Sequence, residues 1–426
     1  MQIFVPTVFA ALVAAVSASC EEVSGNYYCS LTTKVTYEGI GFSGSYNDVT
    51  NMDESTGECT SSSLSFSGNL SPLDEELSVH FRGPIKLLQF GVYYPSSSSS
   101  SSKKKRAEED CEVHAHHKHK RATAIEVETQ TVYVDGNGQL QTSTAAATPA
   151  AVEVSASASV GISVGTDVAS TSTSSSANSA SSSTSSASAG DWVRASYYTP
   201  GSADNCTFLN YYGGSGSGTW SSTFGNSLSY ANSDASGGSS SAVALEECTV
   251  ASDVEFIIFS GSECDGDCGY YRADTPAYHG FGGKEKILVF EFEMPTATDS
   301  ATNNYDMPAV WLLNAKIPRT LQYGDASCSC WSTGCGELDL FEILSSGSSK
   351  LISHLHDGQG DAGTTYGGGG SSDYFARPTS GSLKAAVVFD GENISIVEVD
   401  DDFSSVLSSD TVQGWVDQSG SVATLV

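Results

Sequence analysis

The chain has 426 residues, with 19 Lys and Arg against 50 Asp and Glu, a formal net charge of −31 and a pI of about 4.3. That balance excludes a nucleic-acid partner, which needs a basic footprint, and excludes attraction to an anionic membrane surface. A neutral polysaccharide is electrostatically compatible. The length suits two domains, and 42 Gly, abundant Ser and 16% charged residues suit a secreted all-β protein. The 19 Tyr and 17 Phe supply faces for sugar stacking, although most aromatics serve the core.

Residues 1–18 form a short apolar run ending in small residues, Val16-Ser17-Ala18, and read as a secretory signal peptide. The run is too short to span a bilayer. The chain ends Ser421-Val422-Ala423-Thr424-Leu425-Val426, without the apolar tail of a GPI anchor, so no membrane anchor is expected. Eleven cysteines in a secreted chain read mainly as disulfides, with one thiol left over by the odd count. One bridge is expected among Cys20, Cys29 and Cys59. Cys264-x-x-x-Cys268 and Cys328-x-Cys330-x-x-x-x-Cys335 lack the usual zinc spacings, so disulfides are favoured there too and no metal is expected.

Residues 19–95 read as a small Gly-rich β domain. Val35 to Gly44, Leu64 to Gly68 and Leu87 to Tyr94 have the Gly-punctuated character of short strands. Residues 96–190 are rich in Ser, Thr and Ala and read as a disordered linker that cannot bury enough apolar surface to offset its chain entropy. Inside it, Lys105-Arg106 and Lys120-Arg121 resemble dibasic processing sites. His114, His116, His117 and His119 form a weak metal candidate, and Ile125 to Val134 a possible strand island. Residues 191–426 hold many short strands with Gly, Ser and Asp turns and no long helical period, as in a β-sandwich. Asn69-Leu70-Ser71, Asn205-Cys206-Thr207 and Asn393-Ile394-Ser395 match the N-glycosylation pattern.

The stretch that carries chemistry is Cys335-Gly336-Glu337-Leu338-Asp339-Leu340-Phe341-Glu342-Ile343-Leu344. It reads as a buried strand that nonetheless holds three acids, each costly to bury unpaired. Alternation puts Glu337 and Asp339 on one face and Glu342 on the other. A bulge at Leu340-Phe341 would swing Glu342 back, with Leu338, one residue of the bulge pair and Ile343 facing the core. Paired carboxylates are what glycoside hydrolysis requires. An exposed acidic strand edge or a carboxylate calcium site would show the same pattern. Glu291 and Glu293, another same-face pair, lack the third acid and read as an exposed strand face.

Glu-x-Asp-x-x-Glu on an apolar strand resembles the bulged catalytic signature of glycoside hydrolase family 16. Met307-Pro308-Ala309-Val310-Trp311-Leu312-Leu313 upstream and Ser353-His354-Leu355-His356-Asp357-Gly358-Gln359-Gly360 downstream resemble that family's flanking strands. The whole chain is similar to the Tos-type fungal cell-wall proteins. The resemblance implies a concanavalin-like β-jelly-roll for the C-terminal domain. It implies a retaining endo-β-glucanase of the fungal cell wall, acting on β-1,3-glucan, without a cofactor and as a monomer. Glu337 would be the nucleophile and Glu342 the acid/base, with Asp339 tuning both. Trp311, His356 and, more loosely, His354 would bind sugar. Wall transglycosylation and a non-catalytic glycan-binding role are the alternatives.

Overall fold

The computed structural model describes residues 20–23, 26–96, 187–188, 190–358 and 368–425. The signal peptide, the dibasic pairs, the histidine cluster, Cys111 and Ile125 to Val134 lie outside these residues.

The fold is all-β, as expected, and consists mainly of two stacked antiparallel sheets. The ten-stranded sheet runs Gly238–Ser239, Ser229–Ala231, Cys206–Asn210, Glu255–Ser260, Leu77–Arg82, Ala309–Asn314, Glu337–Glu342, Lys350–His356 and Gly368–Gly370, with Phe375–Ala376 also paired to Lys350–His356. The nine-stranded sheet runs Val406–Leu407, Trp192–Thr199, Lys86–Pro95, Glu285–Glu293, Leu383–Asp390, Ile394–Glu398, Lys34–Glu38 and Ser421–Thr424, with Ser202–Asp204 on Trp192–Thr199. Its last pairing, Ser421–Thr424 with Lys34–Glu38, is parallel.

The strand order modifies the reading of residues 19–95 as a β domain beside the C-terminal one. Leu77–Arg82 lies between Glu255–Ser260 and Ala309–Asn314, and Lys86–Pro95 lies between Trp192–Thr199 and Glu285–Glu293. Residues on both sides of the 96–190 stretch therefore build the same two sheets. The sequence shows that a segment is a strand but not which edge it joins, since a half-buried strand of period two fits any sheet.

The core between the sheets follows from alternation. Leu77, Val79 and Phe81 point inward from one strand, and Val310 and Leu312 from the next, against Leu288, Phe290 and Phe292 of the opposite sheet. Phe81 stacks on Phe256 at 4.6 Å, and Phe341 meets Phe292 at 5.3 Å. Each such side chain, fully buried, contributes roughly 1.5–3 kcal/mol. The alternate residues, among them His80, Arg82 and Trp311, are left on the outer face of the ten-stranded sheet.

A hairpin, Ser43–Met52 paired with Cys59–Ser67, packs on that outer face. Tyr46 and Phe66 join Trp311, Leu313 and Ile317 in one apolar cluster. Cys59 is bonded to Cys328, and Cys330 to Cys335 across the short turn Trp331–Thr333. Cys20 is bonded to Cys29 and Cys264 to Cys268. The expectation of one spare thiol turns on Cys111, which lies outside the described residues. Among the described residues Cys206 and Cys248 are both free, and each packs against the main core.

Candidate active site

The bulge expected at Leu340-Phe341 is present. Against Ala309–Asn314, Phe341 pairs with Val310 and Asp339 with Trp311, which leaves Leu340 as the extra residue. The register with Lys350–His356 shifts at the same place. The core takes both Leu340 and Phe341, where one of the two was expected, together with Leu338 and Ile343. In a bulge two successive residues oppose one neighbour, so both can point to the same side. Glu342 is thereby spared the core, where an unpaired carboxylate would cost several kcal/mol.

Glu337, Asp339 and Glu342 line one cleft of about 310 Å³, with Arg82, Trp311, Trp331, Tyr323 and His356 among its walls. A second hollow of about 650 Å³ shares Arg82 and Tyr323 with it and adds Tyr211, Tyr212, Asn304 and Glu255. Together they make an open trough with tyrosine walls.

Each acid has a different partner. Trp331 Nε1–H donates to Glu337 Oε2 at 2.5 Å. The turn that carries Trp331 is closed by the Cys330–Cys335 bond and by Gly334 at φ 88°, a left-handed position that favours glycine. His356 Nε2 stands 3.4 Å from Asp339 Oδ2. The Asp339 carbonyl accepts from Ser353 Oγ at 2.7 Å, and that hydroxyl also meets Tyr37 Oη at 2.8 Å, so the acid strand is tied to the opposite sheet. Arg82 Nη2 donates to Glu342 Oε1 at 3.0 Å.

Burial, followed by the charge of Asp339, pushes the Glu337 carboxyl up to about 8, while His356 and the Trp331 N–H pull the other way. Burial, and then the charge of Glu342, hold Asp339 well above the usual carboxylate range against the pull of Arg82. Because Glu337 is raised, the folded protein binds a proton more tightly than the unfolded chain from about pH 4.5 to about pH 8. Stability therefore falls as pH rises through that window. The melting temperature of the parent should drop across it more steeply than that of Glu337→Gln, which carries no titrating group. Parallel slopes would refute the perturbed carboxyl.

Of the expected sugar-binding residues, Trp311 and His356 line the cleft. Trp311 is only 5% exposed, with the His80 ring 5.1 Å away, so little of its face is open. The His354 ring lies 4.6 Å from that of His356, tilted by 36°, and is not among the residues lining the cleft; burial pushes its imidazole down to about 4. Glu291 lies on the other sheet, bonded to Gln89 and Ser382. Cys264 and Cys268, weighed for zinc, are spent on each other beside His279. Sequence reasoning missed Arg82, Trp331, Tyr323 and Glu255. Arg82 had a readable signal, since Ser78, His80 and Arg82 form a polar period-two set in an otherwise apolar strand.

Fold and site together define a disulfide-stapled β-sandwich protein whose ten-stranded sheet carries a cleft lined by three acids. The chain belongs to the YJL171C/Tos1 family of cell-wall proteins. The model of that family's C-terminal part matches residues 190–415 and that of its N-terminal part residues 33–95. A Candida albicans relative, named "Probable circularly permuted 1,3-beta-glucanase TOS1", is 60% identical over 97% of both chains. A Saccharomyces cerevisiae relative of the same name is 53% identical over 98% of this chain and 97% of its own. A Schizosaccharomyces pombe relative, named a probable circularly permuted 1,3-beta-glucanase, is 42% identical over 96% of this chain and 94% of its own. No solved structure matches. Among the described residues no helix is long and apolar enough to cross a membrane.

Proposed function

We propose that this protein is a secreted endo-β-glucanase of the fungal cell wall that cleaves β-1,3-glucan by a retaining double displacement. The observation that carries the reading is the bulged strand, which brings three carboxylates with three different partners to one open cleft. The β-1,3 linkage rests on the names of the relatives. Oxidised cysteine pairs suit a secreted chain. The linked tyrosine-walled hollow suits a polymer more than a single sugar.

In this reading Glu342 gives its proton to the glycosidic oxygen as the bond from that oxygen to the anomeric carbon breaks. Glu337 forms a bond to the same carbon, and the sugar hydroxyl on the departing side keeps the proton. Glu342 then takes a proton from water, whose oxygen displaces Glu337. Glu337 must be ionised to attack, which its raised carboxyl opposes. A proton resting on Asp339 removes the repulsion between the two, and the Trp331 N–H and His356 favour the charged form of Glu337.

The test is product analysis of the purified protein on laminarin, mixed-linkage glucan and chitin. New reducing ends with β configuration, from laminarin above all, are the expected result. Redistribution of chain lengths without new reducing ends would show that a sugar hydroxyl replaces water. Binding without any turnover would sink the enzyme reading.

A further inference from the structure

Arg82 sits on the strand Leu77–Arg82, in the segment before the 96–190 stretch, far in sequence from the acids it faces. Its guanidinium is held at two points. Nε donates to the Met307 carbonyl at 2.8 Å and Nη2 to Glu342 Oε1 at 3.0 Å. Two anchored donors fix the plane of a rigid fork. Both partners are mostly buried, with side-chain exposures of 12% and 19%. Glu342 Oε2 takes no hydrogen bond among the described residues, and Glu342 lines the cleft.

A competitor stands beside Arg82. Glu255 is its direct cross-strand neighbour on the other side. Yet Glu255 is bonded to Tyr323 Oη, at 3.0 and 3.1 Å, and makes no ion pair with Arg82. Burial pushes the Glu255 carboxyl up to about 7, which leaves it neutral in mildly acidic solution and leaves Arg82 to Glu342. Asp253 and Glu342 raise it further, while Tyr323 and Arg82 lower it.

Resting on the hydrolase reading above, we propose that Arg82 is the positioning residue of the general acid. It engages Oε1 of Glu342, so that Oε2 is the oxygen presented to the glycosidic bond, and Tyr323 keeps Glu255 from drawing it away. The N-terminal segment is then part of the catalytic machinery rather than a separate glycan-binding accessory.

The experiment compares Arg82→Gln and Arg82→Lys with the parent on laminarin and on a 2,4-dinitrophenyl β-glycoside of a β-1,3-linked disaccharide. The dinitrophenolate leaves without a proton, so it does not need an aimed acid. Arg82→Gln should lose about 10²-fold in kcat/KM on laminarin, the effect of a misplaced group. On the aryl glycoside kcat/KM, which reports only the bond-breaking step that needs no acid, should be much less affected; kcat on that substrate falls, because Glu342 must still take the proton from water. Arg82→Lys, which keeps the charge but not the fork, should fall between. Parallel losses in kcat/KM on the two substrates, or parental kcat/KM on laminarin, would overturn the proposal; if Arg82→Gln fails to melt cooperatively, the same comparison on Arg82→Lys decides it. A parent that cleaves neither substrate would instead count against the hydrolase reading itself.

Discussion

Replacing either outer acid by its amide should all but end glucan cleavage while the protein stays folded. For Glu342→Gln the loss should be roughly 10²–10⁴-fold, the usual contribution of general acid–base catalysis, and for Glu337→Gln at least as large. Each tenfold corresponds to about 1.36 kcal/mol of barrier. The fold should tolerate both changes, because both side chains lie at the cleft and a glutamine oxygen can still accept from Trp331 at position 337 or from Arg82 at position 342. The two roles can be told apart with azide. In Glu337→Ala the small anion should attack the anomeric carbon from the emptied side and give an α-glycosyl azide. In Glu342→Ala it should displace the enzyme-bound sugar and give the β-azide. The same azide configuration from both variants would show that the roles are misassigned, and turnover like the parent's in either amide variant would remove that carboxylate from the mechanism.

What the sequence carried was local. Acids in an apolar strand, and the parity conflict between Asp339 and Glu342, pointed to a bulge, because a carboxylate in the core is too costly, while the resemblance to the bulged family signature set it above an exposed acidic edge. Cys335 beside that strand likewise suggested a bridge there, but not its partner, which is Cys330 across the Trp331 turn. Long-range placement was not legible. Nothing in residues 77–82 says that they will lie next to Ala309–Asn314, so Arg82 could not be assigned to Glu342. Nor could Cys59 be assigned to Cys328, 269 residues away, since cysteine spacing does not encode connectivity. Trp331 and Tyr323 come from loops, whose side chains follow no period. Trp311 shows the opposite failure: a match to a family strand places the residue in the wall but says nothing of how far its ring is covered.

Residues 187–426 produced alone should not fold. Without the first segment the ten-stranded sheet loses Leu77–Arg82 from between Glu255–Ser260 and Ala309–Asn314, and the other sheet loses Lys86–Pro95. Six buried side chains go with them: Leu77, Val79, Phe81, Leu87, Phe90 and Val92. At about 1.5–3 kcal/mol each, their removal costs roughly 9–18 kcal/mol, which matches or exceeds the whole stability of a typical domain. The freed strand edges would add a tendency to aggregate. Supplying residues 19–96 as a separate chain should restore a cooperative melt, because the sheets need the strands rather than the connection between them. The reconstituted pair should migrate as one species until reduced, since Cys59–Cys328 joins the two segments covalently. By the same logic, cutting at Lys105-Arg106 or Lys120-Arg121 should leave the sandwich whole and the cleft equipped with Arg82. A sigmoidal melt and glucan cleavage by 187–426 on its own would show that the first segment is dispensable and that the shared sheets do not hold the fold together.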